Sequence, residues 1–538
     1  MDSDLQLKPH RILWQWLAAL GWAALTPVSG LAQAGVTFEN MQGNVRCSPA
    51  LVTPVHSTEE VQSAVTIAVQ SGLHVKAGIN GWQGANDNSC VAAGGMQLET
   101  SGLNKILAVD PALAQVTVQP GIKLWDFNAV LHQRYQLVLP VAQEYAEVTL
   151  GGMIGNATHG SSLTAKSSSI QDALVRVKLV DGLGNIRIIE GKDLDFIAGN
   201  LGVLGILTEV TLQLQPSFKV AAETSGHPDQ DLASDVLRLA ADGYATNITW
   251  FPGQKSYAYT RYIQVANTTP GEAHNGQTET NWFNRSLFPA VFKLGNLTLG
   301  NGLMCLLEQQ RYQMKTKSYF TTTFDHRVDH AVGWVHQMTS FVCRDHCPFD
   351  DLPYALEEIA IPLERLPEFV HQAHELFDRT GACLPLNGVY FRFGRASRGA
   401  LGMASGRDTA YIGMEYIRNP VGNRYPRDYN VIQELEQILL RDYGGRPHWG
   451  KAPDSMFVGI QQKYPRWEEF EEFRHHLDPS GVFTSPFYLR RLEQSHQGLS
   501  GANCVVKDSC YCHHDAECPA FYHCAPGLID PEAHICTL

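Results

Sequence analysis

Apolar residues recur at helical spacing at Val61, Ala64, Val65, Ala68 and Val69, and residues suited to stop a helix stand at both ends of the run. Ser57 can accept from the first free N–H groups with Glu60 at the third position, and Gly72 follows the last apolar position, so the spacing predicts a helix between them. His74-Val75-Lys76-Ala77-Gly78 then reads as a strand that feeds a polar, glycine-bearing loop. A strand around 116–118 turns at Pro120-Gly121 into a helix over about 123–133, and 137–140 is extended. Leu174–Val180 and Ile186–Ile189 flank the glycine-rich Asp181-Gly182-Leu183-Gly184-Asn185, which predicts a hairpin. Val210, Leu212 and Leu214 alternate with Thr211, Gln213 and Gln215, the pattern of a strand with one buried face, and Pro216 closes the region.

From 218 to 440 the pattern changes to mixed helices and strands rich in aromatic residues, with a long polar stretch near 268–282, and reads as a separate domain. Trp467, Phe470, Phe473 and Leu477 keep helical spacing up to Asp478-Pro479-Ser480-Gly481, so a last helix closes the body before a cysteine-rich tail over 493–538. At the other end, the apolar run over 12–27 follows Lys8 and Arg11 and precedes Ala32-Gln33-Ala34, which reads as a secretory leader over 1–34. Asp2 and Asp4 weaken its positive end, and an amphipathic first helix is the alternative. No later segment offers the 18 or more apolar residues of a membrane span, so the chain is expected to be secreted and soluble.

The 538 residues carry 41 Lys and Arg against 54 Asp and Glu, a net charge of −13, which argues against a nucleic-acid partner. All 12 cysteines follow the leader, and six of them crowd the tail at Cys504, Cys510, Cys512, Cys518, Cys524 and Cys536. That crowding fits a disulfide-stapled element, with connectivity left open; a zinc knuckle assisted by His513 and His514 is the alternative, although no Cys-x-x-Cys pair is present. Cys47, Cys90, Cys305, Cys343, Cys347 and Cys383 form a second even set, in which Cys343 and Cys347 suit a local bridge or core thiols better than a metal or redox site; no metal is expected. Asn247, Asn267, Asn284 and Asn296 head glycosylation sequons.

Three glycine-rich segments in the first domain can bring backbone N–H groups close to phosphate oxygens, because glycine removes the Cβ that would block the approach. The first is Asn80, Gly81, Trp82, Gln83 and Gly84 after Gly78; the second runs Gly151, Gly152, Gly155, Asn156, Thr158, His159 and Gly160; the third holds Gly202, Gly205 and Ile206. None is the Gly-x-Gly-x-x-Gly of a dinucleotide fold or a Walker loop.

In order, these segments resemble the PCMH-type FAD-binding domain of the vanillyl-alcohol oxidase superfamily, and within it the sugar-1,4-lactone oxidases (gulonolactone and arabinonolactone oxidases) and alditol oxidases. Gly151-Gly152-Met153-Ile154-Gly155 leading to Thr158-His159-Gly160 is similar to that family's second flavin segment, and Leu201-Gly202-Val203-Leu204-Gly205-Ile206-Leu207 to its third. Arg446-Pro447-His448-Trp449-Gly450-Lys451, followed by Leu477-Asp478-Pro479-Ser480-Gly481-Val482-Phe483, is similar to its C-terminal His-Trp-x-Lys and Leu-Asp-Pro-x-Gly-x-Phe pair. The resemblance implies an α+β fold: a two-part PCMH-type FAD domain from 35–217 and 441–492, an α+β substrate cap over 218–440, and the small disulfide-rich tail outside both.

It also implies hydride transfer from a carbinol carbon to flavin N5, with Lys451 stabilising negative charge that develops on the flavin. His448 faces the substrate or packs as a core histidine. Tyr390-Phe391-Arg392 matches the family's Glu-x-Arg strand, so Arg392 is expected to hold substrate oxygens while the acidic partner is lost; Tyr390 either bonds a substrate hydroxyl or packs in the core. Glu415 and Arg418 offer a second acid and base or a surface ion pair. Trp82 stands where many relatives carry a flavin-linking histidine, which implies noncovalent FAD, and Gln143 stands where oxygen-using relatives carry a small residue. The expected activity is oxidation of a sugar, aldonolactone or polyol CH–OH, with O₂ as acceptor and hydrogen peroxide as product. The alternatives are a quinone or cytochrome acceptor, or a catalytically impaired carbohydrate-binding, wall-associated protein whose tail contacts polysaccharide.

Overall fold

Ser57 Oγ accepts the Glu60 N–H at 3.2 Å to open the helix Thr58–Ser71, and Gly72 closes it in the left-handed conformation at φ 65°. This is a computed structural model, which describes residues 37–41, 45–82, 84, 86–276, 301–322, 326–342, 354–417, 428–493 and 501–538. The leader, Gln83, Cys343, Cys347, Arg418 and the sequons at Asn284 and Asn296 lie outside the described residues.

The helix buries Val61, Ala64, Val65 and Ala68 against a three-stranded parallel sheet in which Met96–Glu99 lies between Leu51–Pro54 and Val75–Gly78. Val482 and Phe483 complete that small core. The Val75 N–H donates to Val482 O at 2.9 Å, the Gly182 N–H to Leu477 O at 2.8 Å, and the Asp478 carboxylate accepts from the Val482 and Phe483 N–H groups, each at 2.8 Å. The end of the body is thus sewn into its beginning. Beside it stands a five-stranded antiparallel sheet in the order Ile186–Ile189, Leu174–Val180, Ile206–Gln213, Gln115–Val118 and Ile106–Asp110. The expected hairpin and half-buried strand are its first three members; Gln215–Pro216 instead pairs with Leu137–Val138.

The second region is built on an eight-stranded antiparallel sheet in the order His330–Trp334, Lys219–Pro228, Ser256–Val265, Ala245–Phe251, Val389–Gly394, Thr409–Ile417, Tyr354–Pro362 and Arg446–Pro447. Successive side chains alternate between its faces. One face carries Ile248, Trp250, Phe391, Phe393, Ile412, Met414, Ile359 and Ile361 into the main core, shared with the helices Leu232–Ala240, Leu366–Thr380 and Tyr429–Arg441. On the other face, Thr249, Tyr390, Gly413 and Glu358 form one row across four neighbouring strands. The helix Asn301–Lys317 crosses this second face, bringing Lys315 over the Tyr390 ring.

Among the described residues the bonded pairs are Cys47–Cys90, Cys305–Cys383, Cys504–Cys510, Cys512–Cys524 and Cys518–Cys536. The tail is therefore stapled by bridges rather than by zinc. It is also docked: the buried Glu434 carboxylate accepts the N–H groups of Leu528, Ile529 and Asp530 at 2.8, 2.7 and 3.0 Å, and Tyr429 donates to Asp508 at 2.7 Å. Asn247 lies buried in a central strand, where a glycan has no room, so its sequon is not a surface acceptor. Among the described residues no helix is long and apolar enough to cross a membrane.

Candidate active site

The three glycine segments face one cavity of about 520 Å³ whose remaining wall comes mainly from the first region, including Lys76, Glu99, Pro120, Lys123 and Tyr145, and is completed by Leu356, Arg392, His448, Gly450 and Lys451. The first segment contributes Asn80, Gly81, Trp82 and Gly84; the second Gly151, Gly152, Gly155, Asn156, Thr158 and His159; the third Gly202, Gly205 and Ile206. Arg392, His448 and Lys451 line it from the opposite side.

Two expected residues do not reach the cavity wall. A Cβ on Gly160 would meet the Ala142 backbone at 2.7 Å, so this glycine serves close chain packing rather than ligand approach. Tyr390 is buried beside the cavity, and its hydroxyl donates to Glu144 at 3.1 Å. Trp82 packs with the Cys47–Cys90 bridge and donates from Nε1 to Asn86 O at 3.3 Å.

The cavity suits FAD on its own features. A Cβ built on Gly81 or Gly155 meets nothing within 4 Å, so a larger side chain would stand in the space a ligand needs. Asn88 Oδ1 and Gln143 Oε1, both on buried wall residues, accept no hydrogen bond among the described residues, and a flavin nucleotide brings N–H and O–H donors to such oxygens. Lys76, which sequence reasoning passed over as part of a strand, also lines this cavity. Its ammonium donates to Leu201 O, and burial lowers it to about 7.

The reactive end is organised by a residue the sequence reading missed, Glu358. Its carboxylate pairs with the Arg392 guanidinium, accepts from Lys451 Nζ at 3.1 Å and stands 2.7 Å from His159 Nε2. The acidic partner of Arg392 is therefore not lost: it comes from Tyr354–Pro362, which lies one strand beyond Thr409–Ile417, instead of from position 390. Burial pushes the Glu358 carboxyl up, but Arg392, Lys451 and His159 outweigh it and hold the group well below the usual carboxylate range. Burial lowers Lys451, with Glu358 opposing.

Both ring nitrogens of His159 face acceptors, Gly160 O at 2.8 Å and Glu358 at 2.7 Å, which asks for a cation. Burial and the flanking Arg392 and Lys451 oppose this and pull the ring down to about 4. With two cations already on Glu358, the neutral ring prevails and gives its one proton to the carboxylate. Burial and Lys451 likewise keep His448 neutral; its Nδ1 accepts the Gly450 N–H at 3.0 Å, so its proton sits on Nε2 as a donor. Trp449 is the structural residue of this motif, fully buried and donating to Leu401 O at 2.7 Å. His159, Glu358 and His448 converge closely enough to suggest a metal, but Arg392 and Lys451 occupy the carboxylate with the charge a metal would bring.

The fold and this cluster define a flavin-dependent oxidoreductase. A sequence profile for an FAD binding domain matches residues 49–190, and one for D-arabinono-1,4-lactone oxidase matches 210–492. The chain belongs to the D-arabinono-1,4-lactone oxidase family, and is an FAD-dependent enzyme acting on CH–OH groups. It is 25% identical over 543 residues to the probable L-gulonolactone oxidase 6 of Arabidopsis thaliana, covering 91% of this chain and 87% of the plant protein. It is 25% identical over 464 residues to the L-gulonolactone oxidase of Mus musculus, covering 84% and 97%. Among solved structures, a solvent-stable cholesterol oxidase superposes with a TM-score of 0.69 at 16% identity, covering 86% of this chain and 98% of that one, which shows a shared fold.

Proposed function

We propose that the chain oxidises a CH–OH carbon of a polyhydroxylated aldono-1,4-lactone, or of a sugar or polyol with similar hydroxyls, using noncovalent FAD and passing electrons to O₂ to give hydrogen peroxide. The observation that carries this reading is the convergence of Arg392 and Lys451, both held by the buried Glu358, on the glycine-lined cavity. FAD, when bound, supplies the acceptor for the substrate's hydride. Arg392 and Lys451 stabilise negative charge as the carbinol oxygen releases its proton to water in the cavity, and a preorganised donor of this kind contributes on the order of 3 kcal/mol. Glu358 fixes both cations so that neither reorganises during the reaction. His448 offers Nε2–H to a substrate oxygen. The polar row gives no support to a sterol substrate.

Noncovalent attachment is supported by the cavity wall: its two histidines, His159 and His448, are each committed to a hydrogen bond, and Trp82 has no nucleophilic atom. Export is supported by the leader pattern and by the disulfides, which persist in oxidising compartments. Because Glu358 supplies the carboxylate, the impaired carbohydrate-binding alternative loses its ground. One observation favours a second acceptor: Gln143 presents a buried amide at the cavity wall, which suits an enzyme that reacts slowly with O₂ and prefers a quinone or cytochrome.

Anaerobic titration of the purified yellow protein tests the reading. L-gulono-1,4-lactone, D-arabinono-1,4-lactone or xylitol is expected to bleach the flavin and cholesterol is not; bleaching by cholesterol alone, or by none of them, overturns it. Acid precipitation is expected to leave the flavin in the supernatant. Stopped-flow reoxidation with O₂ against a quinone separates the two acceptors.

A further inference from the structure

Lys76 lies on the strand Val75–Gly78, where Val75 packs into the small core beneath the helix Thr58–Ser71 and alternation turns Lys76 and Gly78 to the other face. The lysine is almost fully buried, yet it lines the glycine-walled cavity. Its ammonium donates to Leu201 O in the third glycine segment, and a Cβ built on Gly202 would stand 2.8 Å from Nζ. Leu201 and Gly202 are both left-handed, at φ 54° and 68°, a conformation that a leucine adopts only at a cost. The third segment is bent onto the ammonium, whose other two N–H donors make no hydrogen bond among the described residues.

The charges around the cavity single this lysine out. Among the described residues, the lysines and arginines that line it are Lys76, Lys123, Arg392 and Lys451. Lys123 faces Glu147 at 3.5 Å, and Arg392 and Lys451 are held by Glu358. The charge of Asp87 reaches Lys76, but both oxygens of that carboxylate accept from Arg490 Nη2, at 2.8 and 2.9 Å. A second buried group points the same way. Gln97, the register partner of Lys76 in the parallel sheet, is fully buried, and neither end of its amide makes a hydrogen bond among the described residues. A Cβ on the cavity-lining Gly78 would stand 2.9 Å from Gln97 Nε2, so this amide lies directly behind the wall. A buried cation without a counter-charge beside a buried amide without a partner is costly until an anionic, hydrogen-bonding ligand arrives.

We propose that Lys76 retains noncovalent FAD by pairing with its diphosphate where the first and third glycine segments meet. This rests on the noncovalent FAD reading. Backbone N–H groups of the glycine segments can orient phosphate oxygens but bring no net charge, and the diphosphate is dianionic. Arg392 and Lys451, on the opposite side of the cavity, are already neutralised by Glu358. Burial lowers the Lys76 ammonium to about 7, with Asp87 opposing, and a dianion beside it restores the charged form.

The test titrates the flavin-free full chain with FAD and with riboflavin, which has the same ring and ribityl chain but no phosphate, and follows flavin fluorescence in wild type, Lys76→Gln and Lys76→Arg. Lys76→Gln keeps an N–H donor for Leu201 O and removes only the charge. Its Kd for FAD is expected to rise about 10- to 100-fold, while its Kd for riboflavin stays within about threefold. Lys76→Arg is expected to recover most of the FAD affinity, and the Tm of both flavin-free variants to stay within about 4 °C of wild type. A Kd for FAD within about twofold of wild type in Lys76→Gln, an equal loss for FAD and riboflavin, or insoluble protein in both variants overturns the proposal and leaves Lys76 as a brace for Leu201. Flavin that stays with the acid pellet of the wild type overturns the noncovalent reading, and this one with it.

Discussion

The two faces of the eight-stranded sheet put adjacent glutamates to opposite use. Glu357 points to the apolar side, where Tyr416 donates to it at 2.7 Å and the buried Glu436 and Asp508 stand nearby beneath the tail. Glu358 points to the polar side, where two cations and an imidazole surround it. Both are almost fully buried. Carboxylates crowded against one another share protons and serve packing; a carboxylate ringed by cations stays ionised and can organise chemistry.

The largest effect should come from Glu358→Gln. It takes from Lys451 its ion-pair partner and leaves Arg392 only the more distant Glu144 at 3.9 Å, and kcat is expected to fall by about 10²- to 10³-fold while Glu357→Gln stays within about threefold. Steady-state kinetics on both variants breaks the comparison if the two behave alike. Lys451→Met removes one donor at the reacting oxygen while Arg392 remains paired, and a loss of about 10²-fold in kcat is expected with FAD still bound, read from kinetics and the visible spectrum.

The smallest effect concerns the back face. Burial, then Glu357 and Asp508, hold the Glu436 carboxyl well above its ordinary range. The folded protein therefore keeps a proton that the unfolded chain has already released, and this contribution to stability is complete below the unfolded pKa near 4.5 and is lost as pH rises toward the folded value. Tm should fall between pH 5 and pH 8, by less in Glu436→Gln, with a limiting slope of about 1.4 kcal/mol per pH unit.

Elements bounded by their own chemistry were legible in the sequence: Ser57 and Gly72 mark one helix, and alternation marks the strand Ile206–Gln213. The glycine segments were legible as a group, but Gly160 and Gly155 look alike in sequence; only the fold sets one against a backbone and the other against open space. Glu358 escaped because an adjacent pair of acids on a strand gives no sign of which faces the ligand. The clue was present in Ile359 and Ile361, which share the alternation of Glu357 and consign it to the core, leaving Leu356, Glu358 and Ala360 for the other side.

The hydrogen bond from Val75 to Val482 has a bearing on biosynthesis. The nucleotide-binding lobe begins to emerge from the ribosome early, yet the strand that feeds its first glycine loop is not fully paired until the final tenth or so of translation. Nascent chains must hold that lobe half-built while residues 218–440 are synthesised, and a truncation that spares every glycine segment but stops short of Val482 is expected to purify without the vitamin-derived cofactor, read from its visible spectrum.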